Sequence, residues 1–218
     1  MYLTQRSKIF YRYFAPIIER FIVTQITLMG LQGSGKTNFA KWIVANLEND
    51  YNVHTIQIKL WDYEKLDYYN ELLEATRPTE PELVKSRANM LVVVLDDASY
   101  MLSRHDAKTD KLLHNLMLIR HLNKFWDKYV VIIICHYSTS VLPILRSSHI
   151  RAISSLTSQY EINGLHKYFD LSDLWNFYNF YIHSQSNFHF LVNALGRNFI
   201  MRCPLVVEYE TRQEEATT

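Results

Sequence analysis

The sequence predicts an α/β fold: a mostly parallel central sheet flanked by helices, with a β-hairpin near the C-terminus. Three observations carry this. Continuous apolar runs at Met90–Leu95 and Tyr129–Cys135 have the length and branched side chains of strands buried on both faces, the setting of a parallel sheet. Segments with apolar residues at helical spacing lie between such runs, so strands and helices alternate. Phe188–Leu195 and Asn198–Cys203 flank Gly196-Arg197, the pattern of two strands joined by a tight turn.

Taken in order, residues 1–20 mix basic and aromatic side chains around Pro16, and are expected to pack across the edge of the sheet. Phe21–Met29 is β-branched and apolar and reads as the first core strand. Asn38–Leu47 places Phe39, Ala40, Ile43, Val44 and Leu47 on one helical face. Val53–Leu60 alternates as a strand does, Tyr63–Glu74 reads as a helix, and Thr76–Glu82 with its two prolines reads as a loop. Asp110–Trp126 has helical periodicity, Ile150–Leu156 reads as another strand, and Leu171–Tyr181 as an aromatic helix. One domain is expected to span residues 1–218, with a polar, acidic tail from 206 that frays.

The net charge of +1 excludes a strongly basic nucleic-acid-binding body, so any such contact must be local. Cys135 and Cys203 lack metal-ligand spacing, and Cys135 ends an apolar run, which favours a buried thiol over a disulfide. No stretch approaches the ~18 apolar residues of a membrane span, and the first residues lack the order of a signal peptide. No stable membrane insertion and an intracellular location are expected.

Only five glycines occur, and three of them lie between Gly30 and Gly35. Gly30-Leu31-Gln32-Gly33-Ser34-Gly35-Lys36-Thr37 satisfies G-x-x-x-x-G-K-[ST] between an apolar strand and an amphipathic helix. Glycines let successive N–H groups turn inward on phosphate oxygens, and the following helix adds its positive end. The ligand implied is ATP with Mg²⁺: Gly30, Gly33, Ser34, Gly35, Lys36, Thr37 and Asn38 at the phosphates, and the Thr37 hydroxyl on the metal.

Asp96 and Asp97 end the Met90–Leu95 run, so one strand delivers two carboxylates. Asp96 is placed to hold Mg²⁺ and Asp97 to orient or deprotonate a water. Lys36 stabilises the terminal phosphates. The next apolar strand ends in Cys135-His136-Tyr137-Ser138-Thr139-Ser140, and if it neighbours the Asp96 strand, His136 can sense the terminal phosphate. A guanidinium can stabilise the charge of phosphoryl transfer, in cis or from a neighbouring subunit. Arg120, Arg146 and Arg151 lie nearest the expected active edge in sequence.

With these residues in place, the chain resembles the genome-packaging ATPases of double-stranded DNA viruses with internal membranes, within the FtsK–HerA class. It is similar to the form found in turreted icosahedral viruses of Sulfolobus. Gly30–Thr37 resembles that family's Walker A loop and Val92–Asp97 its Walker B strand. Arg120-His121 stands where such enzymes carry an Arg-His pair, and Leu142–Arg146 follows the sensor at the family's distance. Two departures stand out: His136 replaces a sensor Gln, and Asp97 stands where FtsK-like motors have Glu.

The resemblance implies an ATP-hydrolysing motor on double-stranded DNA, working as a homo-oligomeric ring in the host cytoplasm or on the virion, against capsid or vertex proteins. It makes Arg120 the first candidate for a trans-acting finger and Arg146 the second. Arg104, Lys108 and Arg197 are candidate DNA contacts, and the N-terminal segment could alternatively dock on a vertex or membrane. A small-molecule kinase shares the loop but needs a basic lid that is not evident. A non-catalytic nucleotide-binding subunit is the other alternative.

Overall fold

The computed structural model describes residues 7–59, 63–75, 89–99, 107–122, 126–136, 147–183 and 188–206. Each apolar run is a strand: β1 (Val23–Met29), β2 (Asn52–Lys59), β3 (Asn89–Asp96), β4 (Lys128–Cys135), β5 (Ile150–Ile153), β6 (His189–Ala194) and β7 (Arg197–Arg202). They form one sheet in the order β2-β3-β4-β1-β5-β6-β7. Pairs among β1 to β5 are parallel, and β5-β6 and β6-β7 are antiparallel. Leu195 and Gly196 both take positive φ (47° and 83°), as a two-residue hairpin turn requires.

Helices cover both faces. They are α1 (Lys8–Tyr13), α2 (Ala15–Arg20), α3 (Lys36–Leu47), α4 (Leu66–Ala75, after a 3-10 turn at Tyr63–Lys65), α5 (Ala107–Met117), α6 (Ile119–Leu122), α7 (Gln159–Leu165) and α8 (Leu171–His183). Pleating divides the central strands between two cores. Met90, Val92 and Val94 join Ile26, Leu28, Val130 and Ile132 beneath α1, α2 and α3. Leu91, Val93 and Leu95 join Val131 and Ile133 on the opposite face, beneath α4, α5, α7 and α8.

Three sequence expectations are revised. The predicted helix Asp110–Trp126 is two helices parted at Leu118, and Trp126 is a buried residue ahead of β4. The strand predicted to run to Leu156 leaves the sheet after Ile153. A helix not foreseen, α7, is opened by Ser158, whose hydroxyl accepts from Glu161 N–H while the Glu161 carboxylate accepts from Ser158 N–H. The N-terminal segment folds as α1 and α2. It packs on α3 and, as expected, also reaches the sheet's edge, where Tyr13 stacks on Phe199 of the edge strand β7 at 4.2 Å. Phe10 and Phe14 meet the Trp42 ring edge-on at 5.8 and 5.5 Å, which is why α3 is buried nearly all round. The Thr76–Glu82 loop and the tail beyond 206 lie outside the described residues.

Candidate functional site

Parallel register brings the chemistry to one edge. Met29 pairs with Cys135 and with Ile153, and Leu95 pairs with Ile133. Gly30, His136, Ser154 and Asp97, which follow these strands, and Asp96, which ends β3, therefore emerge together at the C-terminal ends of the strands. β4 is inserted between the glycine-loop strand and the aspartate strand, so His136 stands between Lys36 and Asp97.

Gly30, Gly33 and Gly35 all take positive φ, and at Gly30 and Gly35 a side chain would also clash. Gly30 has φ 146°, and a Cβ there would lie 1.8 Å from Ser154 Oγ. Gly35 has φ 89° and would drive a Cβ to 2.3 Å from the Phe188 ring. Ser154 Oγ donates to Met29 O at 3.0 Å and accepts from the Ser34 hydroxyl at 2.6 Å. Ser155 Oγ accepts from Leu31 N–H at 2.8 Å. This serine pair ties the loop to β5 and escaped the sequence reading; its one signal was a polar pair directly after an apolar run. Gly30→Ala is expected to weaken binding of a fluorescent ATP analogue at least about tenfold, or about 1.4 kcal/mol. Titration against the wild type checks this, and equal affinity would show that the loop can bypass the clash.

Lys36 is 5% exposed. Its ammonium donates to Gly30 O at 2.8 Å and Leu31 O at 2.7 Å, and lies 3.5 Å from both Ser34 Oγ and His136 Nδ1. Burial pulls this lysine below the usual range. Burial also pushes the Cys135 thiol up to about 12, so it stays neutral, and the charges that offset the desolvation of Lys36 are Asp96 and Asp97.

A cleft of about 380 Å³ opens over the loop, lined by Gln32–Asn38 with Asp96, Asp97, Ile134 and His136. The glycine loop, both acids and His136 thus share one space. Asp96 Oδ2 accepts from Gln57 on β2 at 3.3 Å, a partner that sequence did not indicate. Asp97 adopts φ 60°, a left-handed conformation that costs free energy in any residue but glycine and recurs at functional sites. Asp97 Oδ1 lies 3.3 Å from His136 Nε2.

Other candidates are placed differently. Asn38 lines the cleft, but its amide donates to Pro204 O and accepts from Val206 N–H, both at 2.9 Å, and so anchors the segment after β7. Arg120 is exposed on α6, ahead of the start of β4, and does not line the cleft of its own chain. Arg151 lies within β5, where Asn193 and the Tyr168 ring hold it, not at the active edge. Lys108 pairs with Asp67. Arg146, Arg104 and Tyr137–Ser140 lie outside the described residues.

The chain matches the sequence profile of the ATPase family associated with various cellular activities over residues 26–156, from β1 through the serine pair. The chain belongs to the AAA family. No curated protein sequence matches this AAA-family chain. Its fold is similar to that of the genome packaging NTPase B204 from Sulfolobus turreted icosahedral virus 2, solved with sulfate. Identity is 14%, the TM-score is 0.52, and the match covers 87% of this chain and all of that one. It is also similar to the pCW3 conjugation coupling protein TcpA with ATPγS (12% identity, TM-score 0.55, 82% of this chain and 59% of that one). A third similar structure is EssC from Geobacillus thermodenitrificans (11% identity, TM-score 0.55, 86% of this chain and 40% of that one). At these identities the likeness establishes a P-loop NTPase fold, and the AAA match adds nucleotide binding. No helix among the described residues is long and apolar enough to cross a membrane.

Proposed function

We propose that residues 1–218 act as one Mg-dependent ATPase domain that translocates double-stranded DNA, packaging a viral genome into a preformed capsid as a ring of identical subunits. The observation that carries this reading is the convergence of Lys36, His136 and Asp97 on a single cleft, with His136 between the ammonium (3.5 Å) and the acid (3.3 Å). NTP hydrolysis uses a cation at the terminal phosphate and a residue that positions or deprotonates the attacking water.

In this reading the loop N–H groups and the start of α3 bind the phosphates. Lys36 exchanges its carbonyl acceptors for phosphate oxygens. Asp97 orients the water and takes its proton, and His136 registers the terminal phosphate. Thr37 and Asp96 line the same cleft and offer the hard oxygen donors that suit Mg²⁺, which commonly takes one or two protein ligands beside phosphate oxygens. Bound there, Mg²⁺ neutralises charge on the transferred group.

Arg120, remote from its own cleft, suits a finger reaching a neighbouring subunit, with Arg146 as second candidate. Arg197 is exposed at the hairpin and is the better placed DNA contact, since Lys108 is paired. The genome packaging NTPase among similar structures supports a genome as the load, and the same reading takes capsid or vertex proteins as partners, in the host cytoplasm or on the virion.

The test is steady-state ATP hydrolysis with and without double-stranded DNA, for wild type and Lys36→Ala. Turnover that rises with DNA and vanishes in the variant is expected. Turnover indifferent to DNA would remove the translocation reading and leave an NTPase. Tight nucleotide binding without turnover in any condition would remove hydrolysis.

A further inference from the structure

We infer that Ser99 is a positioning residue for ATP hydrolysis, acting through His136 by holding that residue's main chain against the turn that carries Asp97. The inference rests on the hydrolytic reading above.

The β3-β4 ladder ends at Leu95↔Ile133, so the sheet itself does not hold Asp97 and His136 in register. Ser99 replaces the ladder there. Its hydroxyl accepts from His136 N–H at 2.5 Å and donates to His136 O at 3.0 Å, so one side chain satisfies both main-chain groups of the histidine. Ser99 lies two residues beyond the left-handed Asp97, within hydrogen-bond reach of the residue that follows β4.

The alternative is that the imidazole and carboxylate hold each other. They are 37% and 41% exposed, and a pair so open to water contributes little. The 3.3 Å separation therefore depends on where the two backbones are fixed, and Ser99 is the direct link between them. Phosphate binding rests on a different segment, Gly30–Thr37. Loss of the Ser99 hydroxyl should thus slow the chemical step and spare affinity, because small displacements of reacting groups cost rate steeply.

The experiment compares wild type, Ser99→Ala, Ser99→Thr, His136→Ala and the Ser99→Ala/His136→Ala double variant. Each is measured for kcat, for the Kd of a non-hydrolysable ATP analogue and for melting temperature. Expected are a kcat lower by about tenfold to hundredfold in Ser99→Ala with Kd essentially unchanged, and recovery in Ser99→Thr, which keeps the hydroxyl. The double variant should be no slower than His136→Ala, because a residue acting through another adds nothing once that other is gone. Unchanged kcat in Ser99→Ala, a Kd that worsens as much as kcat, or effects that multiply in the double variant would each overturn the inference while leaving the ATPase reading intact. A wild type without turnover would overturn both.

Discussion

Asp97→Asn is expected to lower kcat for ATP hydrolysis by about 100- to 10,000-fold, the range of a lost general base, with nucleotide affinity little changed. Asparagine suits this test because it keeps the size of the side chain and tolerates the left-handed backbone seen at φ 60°. The loop and Lys36 stay as they are, so binding should survive while the water loses its proton acceptor. Measuring kcat beside the Kd of a non-hydrolysable analogue separates the two. A variant that keeps within about tenfold of wild-type turnover would show that Asp97 is not the base. Asp96→Asn should behave differently, raising the Mg²⁺ concentration needed for half-maximal activity, because its place at the strand end suits the metal rather than the water.

Trp42→Ala is expected to destabilise the protein by about 3–5 kcal/mol, read as a fall in the urea midpoint. Trp42 is 1% exposed and meets Phe10, Phe14 and Phe39 at ring-centroid distances of 5.8, 5.5 and 5.4 Å. Its removal opens a cavity between α3 and the N-terminal helices that rigid neighbouring rings cannot refill. Since α3 begins at Lys36, weaker nucleotide binding should accompany the loss of stability. A midpoint unchanged within error would mean that α1 and α2 contribute no packing to the fold.

Much of this was legible because the signals are local. Gly30–Thr37 is eight consecutive residues whose pattern is complete within the segment, and an apolar strand run followed by two aspartates declares its own burial and its polar end. The N-terminal helices were missed even though Phe10, Phe14, Ile17 and Ile18 follow helical spacing, because Pro16 looked like a break. Pro16 in fact sits in the first turn of α2, where its missing N–H costs nothing. The Ser158–Glu161 capping box was equally readable and overlooked, whereas the break at Leu118 has no proline or glycine to announce it.

The sequence by itself determined the fold class, the phosphate loop and the pair of acids, because each rests on neighbours in the chain and on periodicities of two or 3.6 residues. Only the tertiary structure decided which strand lies between Gly30 and Asp96, and hence that His136 faces both Lys36 and Asp97. It also decided that Ser154 and Ser155 clamp a loop more than a hundred residues earlier, that Ser99 locks the end of β4, and that Asn38 and Arg151 serve the scaffold. These are contacts between residues far apart in the chain. Strand order and register create them, and no local pattern records which strand will be the neighbour.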